Sequence, residues 1–256
     1  SFVRTKTAES DHLVSCDGAR TTKWQTPQTG NSVLEIQTYP DSSAITKSQR
    51  EQLVPPYHWH WYQEEHFTVT QGYADCLPSP VTMLTRNSTF VFTLNGKDTK
   101  ISATDPNPRI NITPGAPHTF APDPSYKGPC VIEISAETSP LSSETTSTDL
   151  GVSERFFRNL YSYLEDCSRQ NTSPSLPQLF LFLDSAEVSL AWDVGPRWLM
   201  QYVTYGLGVV IGRWIGGGLL GYKGSYLEYY NPELNETKKG NEVADSLCEG
   251  TTGPPL

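Results

Sequence analysis

Pro55-Pro56-Tyr57-His58-Trp59-His60-Trp61-Tyr62-Gln63-Glu64-Glu65-His66-Phe67-Thr68-Val69-Thr70-Gln71-Gly72 is the stretch from which the fold of this chain is read. Over residues 66 to 71 it alternates, with Phe67, Val69 and Gln71 against His66, Thr68 and Thr70, the period-two pattern of a half-buried strand. Carried backwards, that parity brings His58, His60 and Glu65 to one pocket only if a single irregularity falls between His60 and Glu65. Tyr62-Gln63-Glu64 is the place for it, as a bulge or a turn. On one strand face His58 and His60 sit roughly 7 Å apart. Glu65 is the carboxylate that returns beside them, and Glu64 is the competing one, as ligand or as acid and base.

A second stretch supplies another nitrogen. Ile110-Asn111-Ile112 reads as a strand, Pro114-Gly115 as a tight turn, and His118-Thr119-Phe120 as the start of a returning strand. A single histidine in a strand is more often hydrogen-bonded than ligating. Three imidazoles and a carboxylate converging on one pocket are harder to place without an ion. Such a set suits a divalent transition metal (Fe, Mn, Ni, Cu or Zn) and does not choose among them. In an octahedral site four protein ligands leave positions for water, substrate or dioxygen.

The spacing His58-x-His60-x4-Glu65-x6-Gly72, followed further on by Gly115-x-x-His118, resembles the two motifs of the cupin superfamily. The second motif is shortened: Pro114 directly precedes Gly115, where cupins usually carry Pro-x-Gly-x-x-His, and the Asn that often follows the last His is missing. The resemblance covers roughly residues 30 to 137. It implies a mainly β protein, an antiparallel jelly-roll barrel with a metal held inside by His58, His60, Glu65 and His118. The Trp-rich first motif with a long apolar tail is similar to fungal single-cupin proteins, some of which tailor secondary metabolites.

Outward from the motifs, the first thirty residues read as a loop-rich lead-in and Ser32 to Tyr39 as a first strand. Thr82 to Leu94 and Thr99 to Ala103 form a strand pair around the Asn95-Gly96 turn signal, and Cys130 to Ser135 is the last clear strand. The barrel with its lead-in thus occupies residues 1–137, and a Ser/Thr-rich linker residues 138–152. From 153 to 236 the period becomes helical, and 237–256 reads as a flexible tail. Ser153 caps a helix whose stripe is Phe156, Phe157, Leu160, Tyr161 and Leu164; a second helix runs from Pro177 through Leu190. Helices of this kind cover a sheet face or build a subunit contact.

Trp198 to Tyr222 is apolar enough and long enough to span a bilayer, and it spaces Gly208, Gly212 and Gly216 four apart. Arg213 at its centre is costly in lipid, and its glycines weaken a helix in water, so a buried helical hairpin or a cap over the barrel is preferred to membrane insertion. If His58 and His60 point inward, Tyr57, Trp59 and Trp61 face the other way and need a cover. Residues 153 to 222 or the second subunit of a homodimer would provide it.

Composition sets outer bounds. The 256 residues are 36% hydrophobic, with 13 Tyr, 9 Phe and 6 Trp, enough for a sizeable core. A formal charge of -9 with no basic run excludes an ordinary nucleic-acid surface. The five cysteines are widely spaced and form no zinc pattern, so free buried thiols are expected. Sequons at Asn87, Asn111, Asn171 and Asn235 lean toward a secretory route without deciding between a secreted and a cytoplasmic protein.

The resulting expectation is a metal-dependent tailoring enzyme for a hydrophobic or aromatic small molecule. Phe67, Val69, Phe90, Phe92 and Phe120 would line the pocket, and Glu65 or Glu64 would act as acid or base. Oxygenase chemistry of dioxygenase type is favoured by the resemblance over isomerisation, cyclisation or dehydration. The alternatives are a metal-free cupin cyclase or lyase and a non-catalytic binding or storage protein.

Overall fold

The computed structural model describes residues 2–76, 81–85, 87–141, 151–192 and 194–235, with side chains omitted at 72–76 and 81–85. Two antiparallel sheets form its frame. The first has the order β1 (His12–Ser15), β2 (Arg20–Gln25), β3 (Asn31–Tyr39), β12 (Cys130–Glu137), β5 (Glu65–Val69) and β10 (Arg109–Ile112). The second has the order β13 (Val188–Leu190), β4 (His58–His60), β11 (His118–Pro122), β8 (Thr89–Leu94) and β9 (Lys97–Ser102). A separate ribbon pairs β6 (Gly72–Cys76) with β7 (Val81–Thr85). The helices are α1 (Lys47–Leu53), α2 (Glu154–Arg169), α3 (Leu176–Ser185) and α4 (Arg197–Leu207), the last continuing as a π-helical segment over Gly208–Leu219. In strand order this is an antiparallel jelly-roll barrel, as expected, with C-terminal helices.

The barrel forms because its strands turn alternate side chains inward. On β5, Glu65, Phe67 and Val69 are buried while His66 and Thr68 are half-buried. Phe67 packs its ring 5.3 Å from Phe92 and 5.0 Å from Phe120, joining the two sheets across the interior. Each ring buried this way stabilises the fold by about 1.5–3 kcal/mol relative to exposure. Asn95 and Gly96, both at positive φ, close the β8–β9 hairpin as their sequence promises. Among the described cysteines, Cys16, Cys130 and Cys167 are free, the last two buried.

Four readings of the sequence are corrected. The lead-in contains β1 and β2. Neither is visible as an alternating pattern because β2 turns Arg20 and Thr22 inward, against the polar row Glu35 and Gln37 of β3. Thr82 to Leu94 is two strands: β7 pairs with β6, whereas β8 lies between β11 and β9. The helix begun at Pro177 ends at Ser185; Glu187 takes a positive φ, and Val188 to Leu190 become β13 because the free edge of β4 offers them a ladder. Trp198 to Tyr222 is not a buried hairpin. It lies along α3 with glycines inward, and Trp198, Tyr202 and Trp214 stay more than 60% exposed.

A side chain at Gly212 would place its Cβ 2.8 Å from the Phe180 carbonyl carbon, and one at Gly216 2.7 Å from the Pro177 oxygen. The small-residue spacing thus serves backbone contact inside the protein. Arg213 pairs with Asp184 at 2.5 Å. Among the described residues no helix is long and apolar enough to cross a membrane. Residues 142–150 of the linker and the tail from 237 lie outside the described residues.

The cover required over the aromatic side of β4 is supplied within the chain. Trp59 is buried, Trp61 donates its indole N–H to Ser189 Oγ at 3.1 Å, and Tyr205 stands edge-on to Trp61 at 5.5 Å. Ser189 of the edge strand β13 thus flanks these rings, and α4 packs over them.

Candidate metal centre

The required irregularity between His60 and Glu65 is a change of sheet. β4 ends at His60, Trp61–Glu64 cross the barrel, and β5 starts at Glu65. Gln63 fixes the crossing: its amide donates to Glu137 O at 2.6 Å and accepts from Val152 N at 2.5 Å. From the other side, Gly115 adopts φ +74°, which favours glycine, and its N–H donates to His60 O at 2.7 Å. The shortened Pro114-Gly115 turn thereby sets His118 directly opposite His58 on the neighbouring strand.

One ligand atom each from His58, His60, Glu65 and His118 lies within 4.8 Å of the other three. His118 Nε2 is 2.9 Å and His60 Nε2 3.1 Å from Glu65 Oε2. Two ring orientations are fixed from behind: His58 Nδ1 faces Pro56 O at 2.7 Å and His118 Nδ1 faces Ala116 O at 2.9 Å. A carbonyl oxygen only accepts, so both Nδ1 atoms carry the hydrogen and Nε2 is left as the ligand atom. In the neutral ring His118 Nε2 then presents a lone pair to a carboxylate lone pair at 2.9 Å. A positive charge belongs between them, either a proton or a cation. His60 stands close to Oε2 but outside hydrogen-bond geometry, and neither of its buried ring nitrogens has a hydrogen-bond partner. The donor set and these orphaned atoms fit a divalent metal ion.

The electrostatics agree with that fit. Burial works against ionisation of Glu65, but His60 and His118 outweigh it and hold the carboxyl well below the usual range. Burial, with the neighbouring His118 and His60, holds His58 well below the ordinary histidine value.

Glu64 is not in the cluster. It is partly exposed and lies 3.7 Å from His66 Nδ1. Of the aromatic residues expected around the pocket, Phe67 and Phe120 line the cavity beside the histidines; Val69, Phe90 and Phe92 sit behind them in the barrel core.

The cavity, about 470 Å³, lies between the barrel and α2, which forms its other wall. Phe156, Phe157, Leu160, Tyr161 and Leu164, the stripe read as a sheet cover, all face it. Sequence reading also missed the polar row. Along β3 the apolar side, Leu34 and Ile36, is only half-buried, while Val33, Glu35, Gln37 and Tyr39 point inward. Polar residues on the buried parity of a strand were the available signal.

No family model matches the chain. Among curated proteins it is 31% identical to "Probable oxidoreductase virH" of Hypocrea virens over 228 residues, covering 89% of this chain and 90% of that one. The chain belongs to this family of fungal oxidoreductases. A second relative, "Epoxidase atD" of Aspergillus terreus, is 28% identical over 83% of this chain, which spans 61% of the epoxidase's length. "Oxidoreductase iacF" of Pestalotiopsis fici is 29% identical over 63% of the chain and 69% of its own length. Solved cupins align more loosely. The cupin domain of Schizosaccharomyces pombe Cnp3 gives a TM-score of 0.32 at 8% identity, covering 60% of this chain and 73% of that one. At that score the alignment adds nothing to the strand order given above.

Proposed function

We propose that this member of the fungal oxidoreductase family is a metal-dependent oxygenase acting on a small hydrophobic or aromatic molecule through an oxygen function of that molecule. The observation that carries the reading is the convergence of His58, His60, Glu65 and His118, the first three of which line an apolar cavity. The names of the relatives, an oxidoreductase and an epoxidase among them, favour oxidative over redox-neutral chemistry.

His58, His60, Glu65 and His118 would hold the ion. Once bound, a divalent metal supplies Lewis acidity toward an enol, phenol or carbonyl oxygen and a site at which dioxygen is activated. The chain's own residues do the rest. The carbonyls of Pro56 and Ala116 keep the Nε2 atoms of His58 and His118 unprotonated and aimed at the cluster. Phe67, Phe120 and the α2 stripe exclude water from the cavity and orient an apolar skeleton against the cluster.

Metal analysis of protein purified after expression in supplemented medium tests the reading. One transition-metal ion per chain, lost in His58→Ala and His118→Ala, is expected. A wild type that binds no metal from any of Fe, Mn, Ni, Cu or Zn overturns it and leaves acid–base chemistry at Glu65.

A further inference from the structure

The same cavity has a second polar region, on strands remote in sequence from both histidine motifs. Glu35 and Gln37 of β3, Arg20 of β2 and Tyr161 of α2 all line it, and each is buried. Glu35 Oε1 is well supplied, accepting from Gln37 Nε2 at 2.5 Å and from the Tyr161 hydroxyl at 3.4 Å. Arg20 is held by Ser15 Oγ at 3.0 Å and stacks its guanidinium 3.8 Å from the centre of the Tyr161 ring. Glu35 Oε2 has no hydrogen-bond partner although it is fully buried. A buried acceptor left unmade costs about 1–3 kcal/mol, so an oxygen in this position is built to receive something.

The position of Glu35 in the sheet says what that is. Its strand lies two strands from β5, across β12, where Glu35 pairs with Ile134 and Ile134 with Phe67. Two strand spacings are roughly 10 Å between backbones, and Glu65 stands two residues, roughly 7 Å, along β5 from Phe67, so Glu35 and Glu65 are about 12 Å apart at the backbone, a span that one or two rings bridge. Apolar residues, Phe67 and Ile134 from the sheet and Phe156 and Leu160 from α2, line the cavity onto which Glu35, His58, His60 and Glu65 also open. We propose that Glu35, held by Gln37 and Tyr161, is a second subsite of this cavity that hydrogen-bonds a hydroxyl group of the substrate. The substrate class is then a compact apolar skeleton with two oxygen functions, one meeting the metal cluster and the other Glu35. This rests on reading the cavity as the substrate site.

Burial pushes the Glu35 carboxyl up to about 7 against the pull of Arg20 and Gln37, and a hydroxyl can serve it in either state, as donor to the carboxylate or acceptor from the acid. The rival occupant is internal. Trp24 Nε1 lies close enough to favour the ionised carboxyl, yet it makes no hydrogen bond and is itself buried without a partner. If the indole closes on Oε2 in solution, the subsite is filled and takes no ligand.

Anaerobic calorimetric titration of the metal-loaded protein with matched probes decides between them. Hydroquinone is compared with 4-methylphenol, and 2,6-dihydroxynaphthalene with 6-methyl-2-naphthol, each pair exchanging one hydroxyl for a methyl. At least one diol is expected to bind about ten- to a hundred-fold more tightly than its methyl partner, the range of a charge-assisted hydrogen bond. In Glu35→Leu that ratio falls to near one while the methyl compound binds as before. Glu35→Gln, which keeps the shape and hence the fold, reduces the ratio several-fold. His60→Ala weakens both members of a pair equally and leaves the ratio intact, so loss of the metal reading and loss of the Glu35 reading give different patterns. A ratio of one for both pairs in the wild type, or a ratio unchanged by both Glu35 substitutions, overturns the proposal.

Discussion

The amide of Gly115 donates to the carbonyl of His60 across 2.7 Å, so the turn that launches His118 is tied to the strand that carries the other two histidines. Gly115 O in turn accepts from the Arg197 guanidinium at the start of α4. One glycine therefore joins the second motif, the first motif and the C-terminal helices.

Gly115→Ala tests this junction. A Cβ there would meet nothing closer than Gln201 Nε2 at 3.6 Å, so the cost is the left-handed backbone, about 1–2 kcal/mol. For a domain of this size the melting temperature is expected to fall by roughly 2–8 °C. Metal affinity should fall more than ten-fold as His118 shifts. Thermal melting and metal titration measure the two effects, and an unchanged affinity would show that the turn does not position the ligand.

Leu160→Trp fills the cavity from the α2 side without touching the four candidate ligands. It is expected to leave metal content unchanged while lowering affinity for the aromatic probes at least ten-fold. Equal binding by the variant and the wild type would place the ligand site elsewhere than between α2 and the barrel.

The pH dependence of stability follows from Glu35. Its carboxyl, about 4.5 when unfolded, rises to about 7 in the fold through burial. The group's contribution is fully present below pH 4.5 and is lost as pH rises through 7, a change of about 3 kcal/mol. Denaturant unfolding of metal-free wild type and Glu35→Gln should show the variant gaining on the wild type by about that amount between pH 4.5 and 7. A difference that is flat in pH would mean the carboxyl is solvated.

Gly212→Ala drives a methyl group to 2.8 Å from the backbone of Phe180. Backbone cannot rotate away, so the helices must part, at a cost of about 1–3 kcal/mol. Chemical denaturation is expected to register that loss. A variant as stable as the wild type would mean that α3 and the π-helical segment are not in backbone contact.

The barrel was legible because its strands announce themselves twice: by alternation, as in Phe67 and Val69, and by turn residues, as at Asn95-Gly96. The candidate ligands were legible because coordination demands particular side chains at fixed spacing. The rest was hidden for physical reasons. Arg20 and Thr22 are buried polar residues whose neighbours lie on other elements, Ser15 of β1 and Tyr161 of α2 for Arg20 and Gln37 of β3 for Thr22, so β2 carries no local pattern. Val188 to Leu190 form a strand only because β4 has an open edge. The α2 stripe was visible, but the same periodicity serves a helix that seals a core and one that walls a cavity.

Pairing of β13 with β4 has a consequence for how the molecule is made. Trp61 and Ser189, joined by a hydrogen bond, are 128 residues apart in the chain. While the protein is being synthesised, the histidine strand therefore waits with one edge bare until residue 190 has emerged, and a bare edge is an invitation to pair with a neighbouring nascent chain. The candidate site is thus among the last parts of the molecule to be completed, and aggregation during synthesis is the hazard its late closure creates.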